Sequence, residues 1–327
     1  MNEKILITGA SGFVGYHLII EALSQGYEVH AAIRENSKID HLNKLPLRYM
    51  YLNYSSIGHL QSTLKDFDYI IHAAGITKAK NEQVYNKVNA DASKTLAEAA
   101  VKGCVTLKKF VFVSSLAALG PLTDLDTLIH DASEPQPVTA YGRSKLRAER
   151  YLQSIPKLPL LGFRPTAVYG PRERDLFILI QALSRGLDPH IGRFDQQLSF
   201  IYVKDLAKII INSLHETPPK QFYNVSDGMV YDRYALADTA KQILQKKALR
   251  IHLPLGGVNM LASFMDRIYA KRSSTPVLNK EKMNELTAIN WACDVDALKD
   301  DLGFVPQYDL QSGLAETIQW YKANHWI

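Results

Sequence analysis

The pentapeptide YGRSK, residues 141–145, contains two side chains that could together move a proton. Tyr141 and Lys145 are four residues apart in a segment with helical periodicity, so they share one face of a predicted helix. A phenol has a pKa of about 10 and is a poor base at neutral pH, but a nearby cation lowers such a pKa by about 1–3 units. The pair therefore predicts an acid/base, Tyr141, whose pKa is lowered by the ammonium group of Lys145. Taken alone, this spacing is also common among surface residue pairs.

Two serines lie upstream of this pair, at the end of the apolar run KFVFVSS, residues 109–115. The run predicts a buried strand. Ligand chemistry in a parallel sheet takes place at the carboxyl ends of the strands, where Ser115 can donate a hydrogen bond to a substrate carbonyl or alkoxide. The alternative for these serines, and for Ser114 in particular, is a cap on the following turn.

A glycine-rich turn, TGASGFVG, separates the strand KILITG, residues 4–9, from a helix predicted over residues 13–25. One glycine allows the tight turn, a second lets the backbone approach a pyrophosphate, and a third lets helix and strand pack closely. The helix N-terminus presents free N–H groups to the phosphates. We therefore expect a dinucleotide site, with a plain glycine turn as the alternative. The expected contacts are Gly9, Ser11, Gly12, Phe13, Val14 and Gly15.

Short apolar strands alternate with helical segments along the first half of the chain, which predicts an α/β fold with a doubly wound, Rossmann-like parallel sheet. After Tyr169 the pattern changes, and from about Tyr231 helices dominate. The segment that begins at Ser199, SFIYVKDLAKIIINSLHE, predicts a strand and a helix that could return to the main sheet. We predict a dinucleotide-binding domain of residues 1–171 and 198–228, and a smaller, mostly helical substrate-binding domain of residues 172–197 and 229–327.

The ordered set of motifs resembles the extended short-chain dehydrogenase/reductases, which include the NAD(P)-dependent epimerases and dehydratases. The matching elements span nearly the whole chain: TGASGFVG, HAAG at 72–75, VN at 88–89, VSS at 113–115, YGRSK, RPTAVYGP at 164–171 and SFIYVKDLA at 199–207. The resemblance implies a catalytic triad in which Tyr141 is the acid/base, Lys145 lowers its pKa and binds ribose, and Ser115 orients the substrate oxygen.

The resemblance also implies further contacts to the cofactor and an oligomeric state. The additional cofactor-binding residues that it implies are Ala73, Ala74, Gly75, Asn89, Ser114, Pro165 and Val168. Family members often dimerise through the helices that correspond to residues 92–102 and 143–153. We therefore expect a homodimer.

The residues after Ser115 narrow the branch of the family. Dehydratases of this family usually carry an acidic pair there, whereas this chain has Leu116, Ala117 and Ala118. The runs SSLAALG and AAIR are similar to the branch of dihydroflavonol reductases and hydroxysteroid dehydrogenases. We therefore expect an oxidoreductase that interconverts a hydroxyl and a carbonyl of a small molecule.

Two other functions stay open. A nucleotide-sugar epimerase would hold a diphosphate, and the candidate ligands are Arg172, Arg174, Arg185 and Arg193. A non-catalytic dinucleotide sensor is disfavoured because it would have no need of the triad. Apolar residues of the C-terminal third could line a pocket for a hydrophobic alcohol or ketone, although each is more simply a core residue of the small domain. They are Leu255, Met260, Leu261, Phe264, Met265, Tyr269 and Trp291.

The end of the second predicted strand, EVHAAI, bears on the choice of cofactor. An acidic residue at this place binds the ribose 2′-hydroxyl of NAD in many dinucleotide folds. Here Ile33 takes that place and Arg34 follows, and a guanidinium can pair with a 2′-phosphate. Lys38 would add charge. The sequence predicts NADP, with NAD possible; the alternative is a solvated arginine in a turn.

Composition excludes several other classes. The 327 residues carry a net charge of +5 without a long basic run, so no nucleic-acid partner is expected. Cys104 and Cys293 have neither disulfide nor zinc spacing, and no metal is expected. The early first strand argues against a signal peptide, and no apolar run reaches the ~18 residues of a membrane span. We expect a cytoplasmic protein. LPLGGVNMLASFM, residues 253–265, is expected to form a lid or core helix, with peripheral membrane contact as the alternative.

Overall fold

A computed structural model describes residues 3–269 and 279–327 of the chain. Seven parallel strands form its central sheet, in the order β11-β6-β5-β4-β1-β2-β3. These strands are β1 (Lys4–Thr8), β2 (Glu28–Ile33), β3 (Arg48–Tyr51), β4 (Tyr69–His72), β5 (Lys109–Val113), β6 (Leu160–Pro165) and β11 (Phe222–Val225). The predicted α/β, Rossmann-like fold is therefore confirmed.

Twelve α-helices are found within the described residues, together with short helical turns of other types. The helices are α1 (Phe13–Ser24), α2 (Ile57–Thr63), α3 (Glu82–Tyr85), α4 (Ala92–Gly103), α5 (Ala140–Gln153), α6 (Phe177–Ser184), α7 (Val203–Asn212), α8 (Ala235–Leu244), α9 (Leu255–Tyr269), α10 (Lys280–Thr287), α11 (Asp296–Leu302) and α12 (Leu310–Ala323). The remaining strands form two-stranded sheets: β7 (Ala167–Tyr169), β8 (Leu187–Ile191), β9 (Gln197–Leu198), β10 (Phe200–Tyr202), β12 (Tyr231–Asp232) and β13 (Leu249–Leu253).

Except at the exposed edge strand β3, both faces of the central sheet are buried, which explains why its inner strands are mostly apolar. On one face Ile5 and Ile7 of β1 pack in a core with α1 and α7. On the other face Leu6 packs with residues of α2, α4 and α5. Because side chains alternate along a strand, β1 supplies both cores and is fixed in register by them.

The strand order reverses beside β1, which pairs with β2 on one side and β4 on the other. The glycine turn follows β1, and Ala73 to Gly75 follow β4. Both segments therefore flank the crevice at the carboxyl ends of the strands, where open α/β sheets bind their ligands.

One sequence expectation needs correction. The strand near Ser199, which could have returned to the main sheet, does not do so: β10 pairs with β7 in a separate two-stranded sheet, and the seventh main strand is β11. A π-helical turn, Asn86–Asp91, continues from α3 and leads into α4. Single π-helical turns of this kind are often found at functional sites.

The C-terminal part is mostly helical, as expected. Tyr169, Phe200 and Tyr202 pack with α6, α8 and α12 in a third core. A much smaller cluster joins α9 to α10 through Val258, Ala262 and Met283. The main sheet ends at Val225, but the division into residues 1–171 with 198–228 and 172–197 with 229–327 stays a prediction.

The side chain of Tyr269 lies outside the part of the chain that the structure describes. The expected core placement of the other apolar residues is wrong for Leu255, Met260, Leu261 and Phe264, which are exposed.

Across residues 3–269 and 279–327 no helix is long and apolar enough to cross a membrane. In the same residues no cluster of three or more His, Cys, Asp or Glu side chains is suited to a metal ion. Cys104 and Cys293 are buried free thiols.

Candidate active site

The glycine turn is held by backbone contacts that leave no room for side chains. A Cβ at Gly9 would lie 2.7 Å from the carbonyl carbon of Ala73, and Gly9 has a φ of +70°. A Cβ at Gly15 would lie 2.2 Å from the Gly9 carbonyl oxygen. Gly12 is exposed at the N-cap of α1, and no side chain caps that helix. The first-turn N–H groups of α1 are therefore open to an anionic ligand.

A buried hydrogen-bond chain connects the glycine turn with the end of β4. Thr8 Oγ1 lies 2.7 Å from His72 Nδ1 and accepts from the Ala74 N–H at 3.2 Å. His72 Nε2 lies 2.8 Å from Ser93 Oγ, which donates to the Asn89 carbonyl. Because Ser93 uses its proton on that carbonyl, His72 is neutral with its proton on Nε2. Burial accordingly lowers the pKa of His72 to about 3.

Asn89 clamps the segment after β4 to the helix that carries the YGRSK motif. Its Oδ1 accepts from the Ile76 N–H at 2.8 Å, and its Nδ2 donates to the Ile76 carbonyl and to Ser144 Oγ. Ser144 Oγ in turn donates to the Tyr141 carbonyl at 2.7 Å. The expectation that Asn89 supports this region agrees with the contacts. Ala73, Ala74 and Gly75 are partly or fully exposed beside it.

The two serines after β5 have different environments. Ser115 Oγ accepts from the Ala117 N–H at 3.2 Å and so caps the turn, and the same side chain faces Tyr141 and lowers the pKa of its phenol. Ser114 is buried, and its hydroxyl donates to Glu149. Glu149 is bound by Arg164 through two guanidinium nitrogens, with the shortest distance 2.7 Å. The Ser114 side chain is thus committed to a buried ion pair.

Lys145 is buried at the base of the site. Its Nζ donates to the Val113 carbonyl at 2.8 Å and lies 4.9 Å from the centroid of the Phe112 ring. A Cβ at Gly75 would come within 3.4 Å of the same nitrogen, so Lys145 also lies beside the end of β4. Burial lowers the pKa of Lys145 to about 8.

The structure does not show the expected lowering of the Tyr141 pKa by Lys145. Burial raises the pKa of the phenol to about 12, and the Ser115 hydrogen bond opposes this rise. The Lys145 ammonium is turned to the Val113 carbonyl instead. The expectation of a lowered pKa is therefore wrong for the ligand-free protein, because desolvation outweighs any effect of the cation.

The cofactor discriminator predicted at the end of β2 is accessible. Arg34 is exposed, and its backbone N–H donates to Ser37 Oγ at 2.9 Å in a tight turn. Within the described residues its guanidinium has no hydrogen bond or ion pair, and Lys38 is exposed nearby in sequence. Ile33 is buried at the position where many dinucleotide folds carry the acidic residue that binds the ribose 2′-hydroxyl.

The segment after β6 supplies the last expected contacts. Pro165 is buried at the end of β6, and Val168 is half-buried in β7, opposite Ile201 of β10. The structure therefore places the Gly turn, residues 73–75 and the Ser–Tyr–Lys group at the carboxyl edge of one sheet, whereas Ser114 lies behind that edge.

Sequence reasoning missed several residues that position this site. They are Thr8, His72, Ser93, Ser144, Arg143 and Glu281. Glu281 of α10 accepts from the Ala140 N–H at 3.0 Å and from Arg143 at 3.2 Å, beside Tyr141. The HAAG and YGRSK motifs contain some of these residues, but no spacing signal connects position 281 with position 140.

Known proteins share this architecture over their full length. A ceramide reductase from Caulobacter vibrioides is 24% identical over 326 residues, with 99% of this chain and 96% of that protein covered. A UDP-glucose 4-epimerase from Vibrio cholerae is 26% identical, with 99% and 98% covered. The structure of MoeE5 in complex with UDP-glucuronic acid and NAD matches with a TM-score of 0.75 at 23% identity, covering 98% of this chain and 99% of that one.

The fold and the ordered motifs define an extended short-chain dehydrogenase/reductase. The family model for the NAD dependent epimerase/dehydratase family matches residues 5–226, and the chain belongs to that family. Its similar relatives include both a reductase and an epimerase, so family membership alone does not select the reaction.

Proposed function

We propose that this protein is a nicotinamide dinucleotide-dependent oxidoreductase that interconverts a hydroxyl and a carbonyl of a small molecule. The observation that carries the proposal is that Ser115 faces the Tyr141 phenol, whose pKa it lowers against the effect of burial, and that the buried ammonium of Lys145 lies one helical turn from that tyrosine on α5. This group lies at the carboxyl edge of the sheet, next to a turn with the form of a pyrophosphate site. An intact set of this kind favours catalysis over simple sensing of a dinucleotide.

The residues at the switch point fit a dinucleotide. The N-terminus of α1 has no side-chain cap, and the exposed Gly12 leaves its first turn open to a pyrophosphate. We assign contacts to the cofactor to the glycine turn with Ser11, Phe13 and Val14, to Ala73, Ala74 and Gly75, and to Pro165 and Val168. Asn89 supports this cleft through its hydrogen bond with Ile76. The Ser114 hydroxyl is bound to Glu149, so we assign it no direct contact with the cofactor.

When bound, the nicotinamide gives or takes a hydride at the substrate carbon. In the reductive direction Tyr141 Oη gives its proton to the substrate oxygen, and in the oxidative direction the phenolate takes that proton back. Ser115 Oγ orients the same oxygen by a hydrogen bond. Lys145 lies within the same site and stabilises the phenolate once a ligand draws its ammonium away from Val113.

Arg34 supports a preference for NADP. Its guanidinium is exposed and unpaired in the described part of the chain, at the end of β2 where an acid would bind a 2′-hydroxyl. A planar guanidinium pairs well with a phosphate, and Lys38 adds charge in the same turn. The bound NAD of MoeE5 belongs to that protein, and NAD stays possible here.

Two observations favour a reductase over other reactions of the family. Leu116 and Ala118, which follow Ser115, are buried in a 3-10 turn and supply no acid for a dehydration. Of the four arginines considered for a diphosphate, Arg172 stacks on Tyr16, Arg174 lies over Trp326, and the other two are exposed. They do not form one cluster. The ceramide reductase among the relatives also supports a carbonyl substrate.

A nucleotide-sugar epimerase is the second candidate, because one cationic cluster in the C-terminal part suits a diphosphate. Desolvation lowers the pKa of His252, and the positive charges of Arg193, Arg233 and Arg250 lower it further. Arg233 donates to two backbone carbonyls, and its Nε is buried without a partner. Arg250, however, is already neutralised by Asp188 and Asp238. The epimerase therefore ranks below the reductase.

One assay separates the three functions. The purified protein is titrated with NADPH and NADH, then screened against apolar ketones, alcohols and UDP-sugars. Net oxidation of NADPH by a ketone supports the reductase, and interconversion of a UDP-sugar without net consumption supports the epimerase. Binding of cofactor with no turnover of any substrate supports the sensor.

The adjacent serines provide a matched control. We expect Ser115→Ala to lower kcat by about 10²–10³-fold, since it removes a hydrogen bond at the reacting oxygen, with little change in thermal stability. Ser114→Ala removes a hydrogen bond to the buried Glu149, so it should lower stability and leave kcat nearly unchanged. Turnover that survives Tyr141→Phe would contradict the catalytic assignment.

We also propose the domain roles and a homodimer. Residues 1–171 with 198–228 would bind the cofactor, and residues 172–197 with 229–327 would bind the substrate. Dimerisation through α4 and α5 would bury helices that flank the catalytic group. Sedimentation velocity of the purified protein tests the dimer directly.

A further inference from the structure

The helix α9 has an apolar side that faces solvent. Met260, Leu261 and Phe264 are 73%, 51% and 58% exposed. At 100° per residue they lie on one side of the helix, whereas the buried Val258 and Ala262 lie on the other and pack against Met283. We call Met260, Leu261 and Phe264 the α9 outer face.

This face has no charged residue to keep it in water. Residues 253–265, LPLGGVNMLASFM, contain no Asp, Glu, Lys or Arg. Exposed helices of globular proteins normally carry polar residues on the outer side. Leu253 and Leu255 of this segment are also exposed, as are Leu249 before it and Leu286 after it. Scattered exposed apolar residues need no explanation, but a concentration of this kind marks an interaction site.

The net charge of the chain comes from the residues around this apolar run. Residues 246–286 contain eight of the 38 basic and three of the 33 acidic side chains, so the other 286 residues carry 30 of each and are neutral. Lys246 and Lys247 are exposed before β13, whereas Arg250 is paired with Asp188 and Asp238. Outside this range Arg193 is also exposed, next to Gly192, which packs on Leu255. An apolar helix face within a basic segment is complementary to an anionic surface with an apolar interior.

We propose that α9 docks this protein on an anionic lipid bilayer, with its outer face inserted among the acyl chains and the exposed Lys246, Lys247 and Arg193 at the headgroups. The helix would lie in the interface, in agreement with the finding that no described helix could span a membrane. The proposal does not depend on the reaction catalysed. A second copy of the chain would cover the apolar face but would repel the basic charge around it, so the bilayer fits both properties better.

Vesicle sedimentation tests the docking. The full chain is mixed with vesicles of phosphatidylcholine alone, or of phosphatidylcholine and phosphatidylglycerol at 7:3, at low and high salt. We expect retention on the anionic vesicles at least tenfold above that on the neutral ones, and a loss of most of this retention at high salt, because salt screens the basic residues. Equal retention on both vesicles, or none on either, would overturn the proposal.

Three variants assign the binding to the α9 outer face. Met260→Ser/Leu261→Ser/Phe264→Ser should lower vesicle retention at least tenfold, and Lys246→Glu/Lys247→Glu should lower it severalfold. The matched control Val105→Ser/Ile178→Ser/Val305→Ser removes three exposed apolar side chains from other parts of the surface, and should leave retention within twofold. Thermal unfolding and far-UV circular dichroism verify the fold of each variant.

Sedimentation velocity distinguishes the remaining occupant. If the parent protein is a dimer that is not retained on vesicles and the α9 triple variant is a monomer, the outer face joins two copies of the chain. The bilayer proposal is then wrong. If the control triple variant loses retention as strongly as the α9 variant, general surface hydrophobicity is responsible and the proposal is equally wrong.

Discussion

The chain contains two units in which a strand leads directly into a helix and glycines lie near the junction, and the packing around the two junctions differs. In the first, β1 leads through Gly9 and Gly12 into α1. In the second, β13 leads through Pro254 into α9, whose first turn contains Gly256 and Gly257. A Cβ at Gly9 or Gly15 would collide with backbone, whereas nothing lies within 4 Å of a Cβ at Gly256 or Gly257.

This difference shows what packing adds to a local pattern. The β1–α1 unit lies between neighbouring strands of a seven-stranded sheet, so its glycines are required by contact with the segment after β4. The β13–α9 unit lies on a two-stranded sheet and a cluster of three fully buried side chains. The first unit is held by close backbone contacts at the crevice where we propose the cofactor binds, and the second presents an open surface. The predictions below test this division.

The largest change in activity and stability is expected on replacing the buried ammonium of Lys145. Lys145→Met should lower kcat/KM about 10³-fold and at the same time raise the stability of the ligand-free protein at pH 7. Burial has lowered the pKa of Lys145 from 10.5 to about 8, which corresponds to a penalty on the order of 3 kcal/mol for the charged form. Lys282→Met, in the partly exposed pair with Glu285 on α10, is the control and should change neither quantity much.

The pH dependence of this stability gain has a definite sign. Between pH about 8 and 10.5 the unfolded chain holds the Lys145 proton and the folded chain has released it, so wild-type stability rises with pH through that window. The advantage of Lys145→Met is therefore complete below pH about 8 and is lost towards 10.5. Thermal unfolding at a series of pH values measures it; a constant difference between the two proteins would contradict a buried ammonium.

The second effect is the contrast between the two glycine positions. Gly15→Ala should destabilise the protein by about 3 kcal/mol or more, because its Cβ would lie 2.2 Å from the Gly9 carbonyl oxygen and the turn must move. Gly257→Ala should stabilise α9 by up to about 1 kcal/mol, since the site is open and alanine favours the helix. Chemical denaturation compares the two. Equal effects of the same substitution would break the proposed contrast between the units.

The sequence predicted the first unit well because its signals are local. β1 is an apolar run buried on both faces of the sheet, and the glycine spacing needs only its neighbours in sequence. The same reasoning was wrong for Met260, Leu261 and Phe264, since periodicity shows that a helix has an apolar side but does not show whether that side finds a partner. The sequence was also wrong in predicting that Lys145 lowers the pKa of Tyr141, because desolvation of Tyr141 depends on packing by segments far away in sequence.

Contacts across long sequence separations were out of reach for a similar reason. The family resemblance selected Ser115 for the triad, but residue type alone could not show that Ser114 binds the buried Glu149 of α5 or that Ser115, and not Ser114, caps the following turn. The pairing of β10 with β7 was missed because its apolar run is the same whether the strand joins a large sheet or a small one.

The third effect concerns cofactor choice in the first unit. Arg34→Ala should raise KM for NADPH about 10–100-fold, the loss expected for a charge-assisted contact to a phosphate, and should change KM for NADH less than twofold. Steady-state kinetics with both cofactors measure the two ratios. Glu35→Ala in the same exposed turn is the control. Equal changes for NADPH and NADH would mean that Arg34 is only a solvated turn residue.

The smallest effect is expected where the two regions meet, at the start of α5. Glu281 of α10 accepts hydrogen bonds from the Ala140 N–H and from Arg143, which also pairs with Glu82. These side chains are substantially exposed, so the ion pair itself is worth only ~0.2–1 kcal/mol.

Glu281→Lys would replace attraction to Arg143 by repulsion and loosen α10 beside Tyr141. We expect KM for the substrate to rise about 2–5-fold with kcat nearly unchanged, because Ser115, Tyr141 and Lys145 are held by the first region. Glu281→Gln keeps the hydrogen-bond acceptor and should stay within twofold of the parent in both constants. A fall in kcat at constant KM would instead mean that α10 sets the chemistry of Tyr141, and the two regions would then act as one.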